Sequence, residues 1–215
     1  MNSELSHVLD SLKDQPRLQI TVLGGDHALS PEIITRLQAS SHEIQGGTAS
    51  LDNIMRALSN GEQYHILHIL AHGRYNKLNS ESDLYLQDNN GLTKTVRDSD
   101  ITLRLGALAN LPHLVFLAAC ESARRDAGDQ NAFVGLASKL VACGVPAVVA
   151  MQDMVPIDAA QKLTADFYAY LMLHGVVDRA LAQARLLLFD PNSKTWATPV
   201  LTMRLKDGLL FDLED

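Results

Sequence analysis

Cysteine is scarce in this 215-residue chain: there are two, Cys120 and Cys143. That is too few for a disulfide framework and in keeping with a reducing compartment. Clustered positive charge is missing as well. Lys and Arg number 18 against 25 Asp and Glu, a net charge of −7. No direct nucleic-acid binding is expected, because phosphate neutralisation needs gathered cations. No apolar run reaches the roughly 18–20 residues of a membrane span, so no membrane partner is expected. The longest, Val145 to Met151, is strand-sized and contains Pro146. The start, Met1-Asn-Ser-Glu-Leu-Ser-His7, lacks a basic flank leading into an apolar stretch. No secretory signal is read there, and the cytoplasm is the expected location. With 47 % apolar residues and only 7 prolines, the chain is too apolar for disorder. Its length fits one large domain, residues 16–215, behind a polar leader or linker at 1–15.

What is present is an alternation of strand-like and helix-like segments. Residues 17–23 are a β-branched run halted by Gly24-Gly25. Ser30-Pro31 and Ser50 read as helix starts, an N-cap hydroxyl in each case and proline at the first helical position in one. Residues 64–71, 113–119 and 145–151 are almost continuously apolar, the pattern of strands covered on both faces. A hairpin is expected around Asp88-Asn-Asn-Gly91, and another in the tail between 199–205 and 209–211. Helices are expected over 99–109, 131–143, 157–173 and 177–188. The alternation argues for an α/β domain with a mainly parallel central sheet.

In such a sheet functional groups gather at the carboxyl ends of the strands. One end carries His72-Gly73; another carries Cys120 behind Ala118-Ala119. A thiolate is a nucleophile, and an imidazole can take the thiol proton and return it to a leaving amine. Gly73 leaves room for a substrate backbone, and its N–H with that of Cys120 would hold an oxyanion. A buried filler cysteine and a satisfied strand-end histidine fit the same spacing. His68 and His72 spell a His-x-x-x-His pattern, but on a strand four residues span roughly 13 Å, too far for one metal ion. No metal and no organic cofactor are expected. His65, His68 and Cys143 read as packing residues, and Trp196 as packed at a sheet edge.

The segments Tyr64-His-Ile-Leu-His-Ile-Leu-Ala-His-Gly73 and Val115-Phe-Leu-Ala-Ala-Cys-Glu-Ser122 resemble the histidine and cysteine motifs of CHAT-domain peptidases. These are caspase-like cysteine proteases related to separases and metacaspases. The likeness continues through Gly135–Lys139, Gly144–Gln152, Phe167-Tyr168, Ala180–Arg185 and Trp196–Leu201, in order along nearly the whole chain. It implies a caspase-like three-layer α/β/α sandwich, with His72 as general acid/base and Cys120 as nucleophile. It implies cleavage of a protein substrate through an acyl-enzyme, control by an associated sensor domain or subunit, and a setting in bacterial defence. Metacaspases carry an aspartate two residues before the nucleophile, where this chain has Ala118, so a basic P1 preference is not carried over. The loop after 145–151 shapes the substrate pocket in this clan, which makes Gln152 and Asp153 substrate-binding candidates beside Ala118. The rival readings are an inert caspase-like interaction module and a cysteine hydrolase of small amides. The Arg124-Arg125 loop reads as a surface loop.

Overall fold

The computed structural model describes residues 2–12, 18–24, 29–40, 42–76, 80–118, 132–152 and 155–213. The chain opens with α1 (Asn2–Leu12), β1 (Thr21–Leu23), α2 (Pro31–Ala39), β2 (Glu43–Gln45) and α3 (Leu51–Ser59). The middle comprises β3 (Ile66–Leu70), β4 (His72–Asn76), β5 (Glu81–Gln87), β6 (Thr93–Arg97), α4 (Asp98–Gly106) and β7 (Leu114–Ala118). It ends with α5 (Ala132–Ala142), β8 (Ala147–Met151), α6 (Ile157–His174), α7 (Val177–Leu187), a 3-10 turn at Thr195–Ala197 and β9 (Pro199–Met203).

The expected caps form. The Ser30 hydroxyl accepts from the Ile33 N–H at the start of α2, and the Ser50 hydroxyl from the Asn53 N–H at the start of α3. At the end of α6, Gly175 takes φ +70°, and Phe211 O lies where a Cβ would stand. Only glycine fits that step without distortion.

The principal sheet has the order β3-β7-β8-β9. Leu70 faces Ala118 and Leu114 faces Ala147 in parallel register, whereas β9 runs antiparallel to β8 with Pro199 opposite Met151. The sheet is mixed, which corrects the expectation of a mainly parallel one. Two helices, not one, separate β8 from β9. Joined by the tight turn at Gly175, α6 and α7 return the chain to the end of the sheet it left, so the next strand must run the other way. β9 spends its pairing on β8, and the expected tail hairpin does not form; Leu209 makes an isolated bridge to Val176 instead. β3 pairs only with β7 among the described residues, and most of it is half-buried.

Side chains of β7 and β8 alternate between two cores, as the two-residue period of a strand requires. Leu114, Phe116, Ala118, Ala147, Val149 and Met151 pack with α6 and α7 through Leu163, Phe167, Leu171 and Leu181. Val115, Leu117, Val148 and Ala150 pack on the opposite face with Leu136 and Leu140 of α5, Leu84 of β5 and Ile101 of α4. At about 1.5–3 kcal/mol per large apolar side chain, these two clusters hold the central strands rigid. β1 and β2 form a separate parallel pair, packed with Leu9, Ile33 and Leu37.

A second sheet is antiparallel and three-stranded, β4-β5-β6. The hairpin at Asp88–Gly91 is the one expected from sequence; β4, which starts at His72, is an addition to it. Asp98 is fully buried beneath this sheet. Its Oδ2 accepts from the Ser82 N–H at 2.7 Å and from the Lys139 ammonium at 2.7 Å, joining α4 and β5 to α5.

Candidate active site

β3, β7 and β8 all end on the same edge of the principal sheet. Their register sets which residues meet there. After Leu70 faces Ala118, the Ala71 N–H donates to the Ala118 carbonyl at 3.2 Å, so the β3–β7 pairing continues one step past the strand. His72 is the next residue on that side and Gly73 follows it. Cys120 stands two residues beyond Ala118, as His72 stands two beyond Leu70. Cys120 and Asp153 lie outside the described residues, as does the Arg124-Arg125 loop.

His72 is half-buried, and its Nδ1 is shut off from solvent with no hydrogen-bond partner among the described residues. Gly73 faces Leu84 in the β4–β5 ladder. Ala118 is 7 % exposed, with its methyl in the core cluster on the α6/α7 face and its carbonyl turned to Ala71. Gln152 is exposed, and its N–H donates to the Thr198 carbonyl at 2.9 Å, which ties the segment leaving β8 to the start of β9.

His68 is a packing residue, as expected. Its ring lies stacked on Phe116 at 4.7 Å between centroids, and its Nδ1 shares a hydrogen bond with the Tyr168 hydroxyl at 2.8 Å. Burial holds its pKa down at about 4 and pushes the Tyr168 phenol up. His65 is exposed rather than in the core, edge-on to His113 and Phe211. Cys143 is half-buried, its thiol directed to the Leu140 carbonyl at 3.1 Å and its pKa pushed up by burial. Trp196 packs edge-on against Phe189 at 5.4 Å.

Among the described residues no three His, Cys, Asp or Glu gather closely enough to hold a metal ion. No described helix is long and apolar enough to cross a membrane. A cavity of about 420 Å3 runs along β3 between β1, α3 and Tyr168, and His72 is not in its wall.

Sequence reasoning missed the Tyr168–His68 bond, whose partners are 100 residues apart. It also missed Arg185, whose Nη2 donates to the Pro199 carbonyl. The signal for Arg185 was legible: a charged residue one position beyond Ala184 on the apolar face of a helix.

Compared with known families, residues 27–203 match the sequence model of the CHAT domain. A comparison with curated proteins finds no match.

Proposed function

The chain belongs to the CHAT domain family, which is related to caspase-like cysteine peptidases, and from that premise we propose that it is a cysteine endopeptidase built on a Cys120–His72 dyad in a caspase-like three-layer sandwich. The observation that carries this reading is the Ala71 N–H to Ala118 carbonyl bond. It continues the parallel β3–β7 pairing toward the two residues at issue, and adjacent parallel strands lie about 4.8 Å apart.

In the proposed reaction the His72 imidazole takes the Cys120 thiol proton, and the sulfur attacks the scissile carbonyl carbon. The carbonyl electrons move onto oxygen, where the N–H groups of Gly73 and Cys120 hold the oxyanion. Collapse of that intermediate breaks the C–N bond as the imidazolium gives its proton to the amine. Water, deprotonated by His72, then hydrolyses the thioester. No metal or cofactor is needed for any of these steps. The target is a protein segment lying extended over the strand tips, with Gln152 and Asp153 along its path, and an associated sensor domain or subunit controls access.

The test is comparison of newly formed protein N-termini in cells expressing the wild-type chain or Cys120→Ala. Cleavage sites present with the wild type, and lost in both Cys120→Ala and His72→Ala but kept in Cys143→Ala, are the expected result. Identical N-termini in all four, with the wild type folded and its partner present, would leave the inert interaction module as the better account.

A further inference from the structure

Arginine is rarely buried without a counter-ion. Arg185 is half-buried at the C-terminal end of α7, and no carboxylate pairs with it among the described residues. Instead its Nη2 donates to a main-chain oxygen, the Pro199 carbonyl, while its Nε is buried with no partner. That leaves the Pro199 carbonyl as the partner the guanidinium has among the described residues.

The carbonyl it holds stands next to a sensitive point. Pro199 opens β9 opposite Met151, the last residue of β8. One residue before it, the Thr198 carbonyl accepts the Gln152 N–H at 2.9 Å, while the Thr198 N–H turns away to Thr195 at 3.2 Å. Among the described residues a single hydrogen bond therefore attaches Gln152 to the sheet, and its acceptor is adjacent to the residue that Arg185 grips. Among the described residues β9 is an edge strand, with no further strand behind it to steady that start. Neighbouring Ala184 and Leu181 are fully packed, so the helix that carries Arg185 is a fixed anchor.

We propose that Arg185 is a positioning residue for the substrate rim: by anchoring Pro199 it fixes the Thr198 carbonyl, and through it the Gln152 backbone where the chain leaves β8. This rests on the reading of Gln152 as part of the peptide-binding path. The side chain itself touches no reacting atom. Its loss would loosen the grip on a peptide while leaving the intrinsic reactivity of the thiol intact.

The test is amide hydrogen exchange by NMR on the full chain, wild type against Arg185→Met. Exchange at the Gln152 amide rises at least ten-fold, with Val148 and Val149 unchanged within two-fold. An unchanged Gln152 amide, or equal acceleration through all of β8, overturns the proposal, the second because it makes Arg185 a general stabiliser. The wild type gives a reading that needs no variant: slowly exchanging Arg185 guanidinium protons with cross-peaks to Pro199, whose absence overturns the proposal too. Capture of Cys120 adds the functional split. Arg185→Met raises the half-saturating concentration of a peptidyl acyloxymethyl ketone at least five-fold and leaves alkylation by iodoacetamide within two-fold; equal slowing of both contradicts a positioning role. Should the wild type fail to react with the peptidyl ketone even with its controlling partner present, the peptidase reading falls, and the exchange result still decides the role of Arg185.

Discussion

Lowering the pH from 7.5 to 4.5 should cost the folded chain about 2 kcal/mol through one side chain, His68. In the unfolded chain its imidazole titrates at the ordinary value of 6.5, whereas burial against Phe116 holds the folded-state value at about 4. The folded pKa is the lower of the two, so below pH 6.5 the unfolded chain binds a proton that the folded chain refuses. Stability from this residue is complete above pH 6.5, declines as the pH falls, and stops declining near pH 4. Two and a half pH units at about 1.4 kcal/mol each set a ceiling of roughly 3 kcal/mol. The ring is half-buried and borders the cavity along β3, which brings the figure to about 2 kcal/mol. Other groups titrate over the same range, His42 and His113 among them. The difference between wild type and His68→Phe removes them. Urea unfolding of both chains at pH 7.5, 6.0, 5.0 and 4.5 should show the wild type losing about 2 kcal/mol more than the variant. Loss of the Tyr168 hydroxyl partner costs the variant equally at every pH and cancels. A wild-type-minus-variant difference that stays flat within about 0.5 kcal/mol over the series would refute the reasoning.

Lys139→Met leaves the buried Asp98 carboxylate with the Ser82 N–H as its remaining hydrogen-bond partner among the described residues. Breaking a buried pair costs about 3–5 kcal/mol, and because Lys139 is partly in solvent we expect about 2 kcal/mol, or 4–8 °C in Tm by calorimetry; a shift under 2 °C would count against the pair. Gly175→Ala puts a methyl on the Phe211 carbonyl at a φ of +70°, so it should destabilise by at least about 2 kcal/mol and expose the 204–213 tail to trypsin. Wild-type resistance of that tail in the variant would show that the turn adapts. The Cys143 thiol, pushed up by burial, should alkylate at pH 7.5 at least ten-fold more slowly than Cys120, as read by peptide mass spectrometry.

The elements legible in the sequence are those specified by a few neighbouring residues. Ser30-Pro31 and Ser50 announce their helices because a cap is a local bond, and the runs at 113–119 and 145–151 announce buried strands because nothing polar interrupts them. Partner choice was not legible. That β9 lies against β8 rather than folding back on the tail follows from α6 and α7 returning the chain to the same end of the sheet, a consequence of helix count and turn rather than of residues 199–205 themselves. β4 went unseen because His72–Asn76 is polar and acquires its strand character from the β5 partner. At the site, His72-Gly73 stood out as the end of an apolar run. Arg185 was legible as a charge on the apolar face of α7, whereas its Pro199 partner and the Gln152–Thr198 bond depend on contacts that local spacing does not encode.

The central claim is that His72 and Cys120 face each other across the tips of β3 and β7, and a disulfide trap tests it most directly. In a Cys143→Ala background, His72→Cys places a second thiol on β4 at the point where the β3–β7 pairing leads. Mild oxidation of the folded chain should join it to Cys120 within minutes, since bridged cysteines need Cα atoms within about 7 Å. A chain that retains two free thiols under those conditions, while unfolded controls oxidise normally, would contradict the account.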